Sequence, residues 1–125
     1  RVLVMDITDA REIAEFAESE LGCQVVQRGQ TIPLKVEEYK HFTEALREGK
    51  LKHTGDEALT GHVLNAHARL LPGGDVCFAR PSNSRRDPEM QDRRVIDALT
   101  SASMVHAVAM ANPVSVYEER ELVAV

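Results

Sequence analysis

Blocks of hydrophobic positions along the chain predict strands that alternate with helices. Residues 2–7 (VLVMDI) are short, aliphatic and nearly continuous, which is typical of a strand buried on both faces of a parallel sheet. Asp9 and Glu12 have the spacing of a capping box and begin an amphipathic helix that ends at Gly22. The apolar face of this helix is predicted to contain Ile13, Phe16, Ala17 and Leu21. Residues 23–29 (CQVVQRG) predict a second strand, parallel to the first through a right-handed crossover.

The second half of the chain predicts further helices around a hairpin. A helix follows Pro33 and ends at Gly49, with a polar face of glutamates and lysines that we expect to be solvated. Residues 50–67 contain a TGD turn and a short helical pattern. The turn signal LPGGD (71–75) lies between two short extended pieces, which favours a hairpin or a looped-out edge.

The last third of the chain contains a polar loop, a helix and a tail. Residues 81–94 are charged and include two prolines, so they predict an exposed loop. Residues 95–111 predict a buried helix, and the tail after Pro113 is either a short strand or a loose terminus. The predicted core positions of that helix are Val95, Ala98, Leu99, Ala102, Val105 and Ala109.

Composition limits the class of protein. The chain has 125 residues and 43% hydrophobic content, enough for one domain with a single core. It has no apolar run of membrane-spanning length and no signal-peptide pattern, and its two cysteines are not in a CxxC, so we expect a soluble, cytoplasmic protein with reduced thiols. The net charge of −5 argues against nucleic-acid binding through a global positive field, and an aromatic content of 4% argues against base stacking.

Two carboxylates have positions that suit metal-dependent chemistry. Asp6 is expected just beyond the carboxyl end of the first strand, where open α/β folds bind ligands, although a helix-capping role is the alternative. Asp97 lies in the first turn of an otherwise apolar helix. The helix dipole alone can account for it, or it binds a hard divalent cation such as Mg²⁺ or Mn²⁺.

The histidines and basic residues give weaker signals. His62 and His67 are five residues apart and would not share a helical face, and His106 is expected to be a satisfied core residue. His53 and His62 flank a turn, where they either orient phosphates or water or are simply polar loop residues. A local basic rim is expected in the loops near Asp97, and it consists of Lys50, Lys52, Arg80, Arg85, Arg86, Arg93 and Arg94. Each of them can also be an ordinary solvated charge.

The order of short motifs resembles the end of phage terminase large subunits. The chain contains GKLKHTGDEALTGHVLNA (49–66) and RRVIDALTSASMVHAVAMA (93–111), which are similar to the family's "G-x-L-x-H-x-G-(D/N)" turn, "H-V-x-N-A" helix and final "I-D-A…A" helix. Upstream, residues 2–31 are similar to the family's strand, helix and "G…V…GQ" strand. The resemblance covers nearly the whole chain.

The resemblance implies an α/β domain of RNase H-like fold, with a mixed sheet flanked by helices, that cuts double-stranded concatemeric viral DNA with two Mg²⁺ or Mn²⁺ ions. Asp6 and Asp97 match the family's second and last acidic ligands, and His53, His62 and Asn65 match recurring polar positions. The full-length family also works with a terminase small subunit and a portal, in a virus or prophage of a bacterial host.

Two departures from the family qualify this expectation. In the family, the first metal-binding aspartate lies on an earlier strand than those found here, and the family's ATPase domain is absent from these 125 residues. We therefore interpret residues 1–125 as a partial nuclease domain, and whether this part is active by itself is an open question. An open sheet edge would then favour self-association or pairing with another segment. The alternatives are a non-catalytic prophage remnant or interaction module, and a Rossmann-like small-molecule domain that lacks its glycine-rich turn.

Overall fold

The computed structural model describes residues 1–6, 11–81 and 94–111. Among them are four helices and four strands, so the chain is a small α/β protein. In chain order the elements are β1 (Val2–Asp6), α1 (Arg11–Ser19), β2 (Gln24–Arg28), α2 (Ile32–Arg47), α3 (Glu57–Asn65), β3 (His67–Leu70), β4 (Val76–Ala79) and α4 (Asp97–Ala111). In these residues no helix has the length and apolar character needed to cross a membrane.

The first sheet is the predicted parallel pair. β1 pairs with β2 in a register that runs from Val2 opposite Gln24 to Asp6 opposite Arg28, and α1 lies between the two strands in sequence. α1 packs against β2, and α4 packs against β1. The β–α–β prediction is therefore confirmed, with Asp6 at the carboxyl end of its strand.

The second sheet is an antiparallel hairpin. β3 pairs with β4, and the Leu71 N–H donates a 2.7 Å hydrogen bond to the Asp75 carbonyl to close the turn. Gly73 and Gly74 both have φ of 97°, a conformation that other residues rarely adopt. Of the two predicted possibilities, the hairpin is thus confirmed. Within the described residues the strands form two separate two-stranded sheets, one parallel and one antiparallel, instead of a single mixed sheet.

The core lies where α2 packs on α4 and on β4. The Phe78 ring of β4 meets the Tyr39 and Phe42 rings of α2 edge-on, with ring centroids 4.8 and 6.1 Å apart. Edge-to-face contacts of this kind stabilise beyond the area they bury. The buried apolar residues are Ala14, Ala17, Phe42, Ala45, Cys77, Ile96, Leu99, Met104 and Ala107.

Two predicted apolar faces are partly wrong. In α1, Ala17 is buried together with Ala14, but Ile13 and Phe16 are 60% and 56% exposed and Leu21 beyond the helix is also exposed. Within α1 the small side chains of Ala14 and Ala17 are therefore the buried ones, and the larger apolar side chains stay exposed.

In α4, Leu99 is buried as predicted, whereas Val105 is 50% exposed and Ala109 is also exposed. Ser103 and Met104 take buried positions instead. α4 is apolar or small nearly all around, so the spacing of its residues does not distinguish the packed face.

His106 packs in the core but is not fully satisfied. Its ring meets Phe42 edge-on at 5.8 Å, and its Nδ1 is buried without a hydrogen-bond partner among the described residues, as is Nδ1 of His41. Burial, and then the nearby His41, lower the pKa of His106 below its ordinary value of 6.5. A neutral imidazole is therefore the form that the folded protein favours.

We expect stability to fall in mild acid because of His106. Its pKa is lower in the folded chain than in the unfolded chain, so the folded state loses stability as the pH falls from about 6.5 through the folded-state pKa. Above about pH 6.5 both states hold a neutral ring and the effect vanishes. Urea unfolding at about pH 7.5 and about pH 5.5 measures the difference.

The substitution His106→Leu should reduce that pH dependence, whereas His67→Gln, at an exposed histidine of β3, should leave it as in the parent. An undiminished loss of stability in His106→Leu would contradict this account.

Candidate functional site

A hollow of about 700 Å³ lies between the first half of α2, the β3–β4 hairpin and the start of α4. Cys77 and Ile96, both buried, contribute to its apolar lining. We call it the charged hollow because of the side chains that line it, which are Lys35, Glu38, His67, Arg69, Arg80 and Asp97. It brings together two of the predicted site residues, Asp97 and Arg80.

α3 holds the start of α4, and with it Asp97. The His62 Nδ1 accepts a 2.8 Å hydrogen bond from the Ala98 N–H, and the Asn65 side-chain amide donates a 3.0 Å bond to the Val95 carbonyl. The first N–H groups of a helix have no partner inside it, so His62 acts as a cap supplied from another helix. Since Nδ1 accepts this bond, the proton of the neutral His62 ring is on Nε2.

A stabilised turn precedes α3, the helix that carries His62 and Asn65 to the start of α4. The His53 Nδ1 accepts a 3.0 Å hydrogen bond from the Gly55 N–H, and Gly55 has a φ of 78°. Asp56 then caps α3, because its Oδ1 accepts a 2.9 Å bond from the Leu59 N–H. His53 therefore stabilises the turn that begins α3, and His62 and Asn65 lie at the end of the same helix.

Glu38 is a site residue that the sequence analysis missed. It was expected on the solvated face of α2, but that is wrong: its side chain is 3% exposed and lines the charged hollow. Arg28 of β2 donates from Nε to Glu38 Oε1 at 2.6 Å, and its Nη2 lies 3.4 Å from Glu37 Oε2. The spacing Leu34, Glu38, Phe42 places Glu38 on the apolar face, which was the available signal.

The environment of Glu38 opposes its ionisation. Burial raises the pKa of Glu38 above its ordinary value, while the hydrogen bond and charge of Arg28 work in the other direction. With the guanidinium at 2.6 Å, Glu38 is committed to Arg28, so we regard Asp97 as the available carboxylate of the charged hollow.

Asp6 lies outside the lining of the charged hollow. It is exposed at the end of β1, and its backbone pairs with Arg28, the residue that binds Glu38. α4, which begins at Asp97, packs against the same strand. The two predicted carboxylates therefore belong to elements in contact, and Arg28 and Glu38 connect the strand pair to the charged hollow.

The predicted basic rim is divided among several places. Arg80 lines the charged hollow, whereas Lys52 and His53 line a second, mostly apolar hollow of about 580 Å³ formed by α2, α3 and α4. Lys50 is exposed and forms an ion pair with Glu48. Arg94 is exposed just before α4. Three predicted rim residues lie outside the described residues, namely Arg85, Arg86 and Arg93.

Three other basic residues at the charged hollow were not predicted. Lys35 lies in the first turn of α2, and His67 and Arg69 are two residues apart on β3. Side chains two apart on a strand share a face, so the strand pattern of β3 was the only signal for the latter pair. The structure thus places Lys35, His67 and Arg69 at the same hollow as Asp97, from parts of the chain other than those predicted.

The donor set suits a hard divalent cation only in part. In residues 1–6, 11–81 and 94–111, no group of three or more His, Cys, Asp or Glu side chains is placed to hold a metal ion. Mg²⁺ needs fewer protein ligands than that, because it commonly keeps several waters and binds one or two carboxylates together with substrate phosphates. Asp97 can act in this manner.

No family model, curated protein or solved structure matches this chain. Functional inference therefore rests on the geometry of the charged hollow and on the motifs in the sequence.

We expect loss of Glu38 to destabilise the fold strongly. Glu38→Ala leaves the Arg28 guanidinium, 14% exposed, without its buried partner, and breaking a buried ion pair in this manner costs about 3–5 kcal/mol. Glu37→Ala removes the exposed partner and should cost about 0–1 kcal/mol. Urea unfolding measures both, and similar small losses would show that Arg28 does not depend on Glu38.

We also expect His62 to stabilise the start of α4. His62→Ala removes the acceptor for the Ala98 N–H, which should lower the free energy of unfolding by about 1 kcal/mol and speed hydrogen exchange of that amide. Leu64→Ala, at a side chain 79% exposed on the same helix, is the matched control and should leave this exchange unchanged. Unaltered Ala98 exchange in His62→Ala would refute the capping role.

Proposed function

We propose that this chain is the C-terminal part of the nuclease domain of a phage terminase large subunit, with an RNase H-like fold. In this proposal Asp97 and Asp6 bind Mg²⁺ or Mn²⁺, and the complete domain hydrolyses phosphodiester bonds of concatemeric double-stranded phage DNA. The partners proposed for the full-length protein are the terminase small subunit and the portal.

The observation that carries the proposal is the contact between two separate motifs. His62 and Asn65 belong to the segment that resembles "H-V-x-N-A", and they bind the backbone of Val95 and Ala98 on either side of Asp97. These contacts join residues 30 and 36 positions apart. The "H-V-x-N-A" segment thus positions the start of the "I-D-A…A" helix that carries Asp97, which gives a physical reason for the two motifs to occur in one chain.

The arrangement of β1 and α4 gives further support. β1 ends in Asp6, runs parallel to β2, and packs against the helix that begins with Asp97. The carboxyl ends of parallel strands are where open α/β folds bind ligands. Carboxylates from a strand end and a helix start on neighbouring elements are consistent with a metal-dependent hydrolase.

Carboxylate oxygen is the ligand type that Mg²⁺ and Mn²⁺ prefer. Asp97 and Asp6 would hold such ions, which when bound would supply activation of a water molecule and charge stabilisation for the hydrolysis. The part played by this chain is to hold the start of α4, and with it Asp97, through His62 and to bond Glu38 to Arg28. Among the described residues that line the charged hollow, Asp97 is then the carboxylate without a side-chain partner.

We expect nicking of supercoiled plasmid DNA by the purified chain in Mn²⁺ to depend on Asp97 and Asp6. Asp97→Ala and Asp6→Ala should each lower the rate by more than about tenfold, because even residues that only orient metal ligands cost 10- to 100-fold when removed. Calorimetric titration with Mn²⁺ should show weaker binding in both variants.

Asp75→Ala, at an exposed carboxylate in the β3–β4 turn, is the matched control and should behave like the parent. Parent and Asp97→Ala chains with equal nicking and equal Mn²⁺ affinity would refute the proposal. Asp97-dependent Mn²⁺ binding without nicking by any chain would favour the alternative, a non-catalytic module that retains the fold.

A further inference from the structure

We propose that Lys35, Arg69 and Arg80 form a phosphate-binding wall in the charged hollow, which holds the backbone of one DNA strand opposite Asp97. That the ligand is DNA rests on the proposed function. The presence of an anion site at this place rests on the geometry alone.

The wall is assembled from three elements around one space. Lys35 comes from the first turn of α2, Arg69 from β3, and Arg80 directly follows β4, and all three line the charged hollow. In the hairpin His67 pairs with Ala79 and Arg69 pairs with Cys77. Arg80 is the residue directly after Ala79. The pairing positions Arg69, whereas Arg80 lies one residue beyond the paired strand and is assigned to the wall because it lines the same hollow.

The wall lies near carboxylates, since Glu38 and Asp97 line the same hollow and the charge of Lys35 offsets part of the rise in the pKa of Glu38 that burial causes. Among the described residues, Lys35, Arg69 and Arg80 form no ion pair with a carboxylate, and the carboxylate of Glu38 is bonded to Arg28 instead. The chain as a whole carries a net charge of −5, so these cations form a local exception. Cations gathered in a concave site attract an anion far more strongly than scattered surface charges do.

The chemistry of the lining favours a phosphodiester. The arginine fork matches two phosphate oxygens, and lysine adds a point charge. Among the described residues Phe78 is the one aromatic side chain that lines the space, which favours contact with the sugar-phosphate backbone over base stacking.

A binding experiment without metal tests the wall separately from cleavage. A fluorescent single-stranded DNA oligonucleotide is titrated with the full chain in EDTA at several salt concentrations. Arg69→Ala, Arg80→Ala and Lys35→Ala should each weaken binding about fivefold to tenfold, as expected for loss of one charge-assisted contact. Each should also reduce the slope of log K against log salt by about 0.7, the value for one phosphate of a single strand.

The matched control is Arg47→Ala, at an exposed arginine at the end of α2 that does not line the charged hollow. It should bind as the parent does. Arg69→Lys should keep the salt slope of the parent, whereas Arg69→Gln should reduce it as Arg69→Ala does. This pair tests the charge of Arg69 if truncation to alanine prevents folding. Equal slopes in all chains, or an equal loss in Arg47→Ala, would overturn the inference.

The outcomes also separate this inference from the proposed function. If DNA binding depends on the wall but nicking does not depend on Asp97, the anion site is supported and the nuclease proposal is refuted. If nicking depends on Asp97 but is unaffected by Arg69→Ala and Arg80→Ala, the nuclease proposal is supported and the phosphate-binding wall is refuted.

Discussion

The buried ion pair between Arg28 and Glu38 is the constraint on which the arrangement of the site depends. A carboxylate that is 3% exposed is costly to bury, and the 2.6 Å bond from Arg28 makes this position tolerable. Because Arg28 is the last residue of β2 and Glu38 lies in α2, the bond fixes where α2 runs relative to the parallel sheet. α2 in turn packs against both β4 and α4 through the apolar core, so this polar contact and the core together position the elements that enclose the charged hollow.

Much of the local structure was predictable from the sequence, because turn and cap signals are local. Gly22, Gly49 and the LPGGD turn mark ends that the structure confirms. The packed faces were less predictable. α1 has both small and large apolar residues, and its contact with the sheet selects Ala14 and Ala17. α4 offers apolar residues in nearly every direction, so only its neighbours determine that Ser103 and Met104 are buried.

The site was predictable where a residue's role follows from its position in an element, and not where it follows from a distant contact. The positions of Asp6 at a strand end and of Asp97 at a helix start were predicted in this way, while their role in metal binding stays a prediction. The roles of His62 and Asn65 depend on backbone atoms 36 and 30 residues away, which no local pattern reveals. The basic rim was expected from loops predicted to surround the strand ends. In the structure Arg80 of that rim lines the charged hollow, and Lys35 and Arg69 line it where Lys50 and Lys52 had been expected.

The hydrogen bonds from His62 and Asn65 of α3 have a structural role that is independent of catalysis. His62 and Asn65 stabilise the start of α4 whether or not any reaction takes place, so their presence supports the proposed origin of the chain more directly than its activity. Asp97 differs from them because it is exposed at a helix start, and the helix dipole alone can account for a carboxylate there. For Asp6 the structural alternative, a helix-capping role, falls on residues 7–10, which lie outside the described residues. The case for metal-dependent hydrolysis therefore depends on the two carboxylates acting together, with β1 packed against α4 as the contact that joins them.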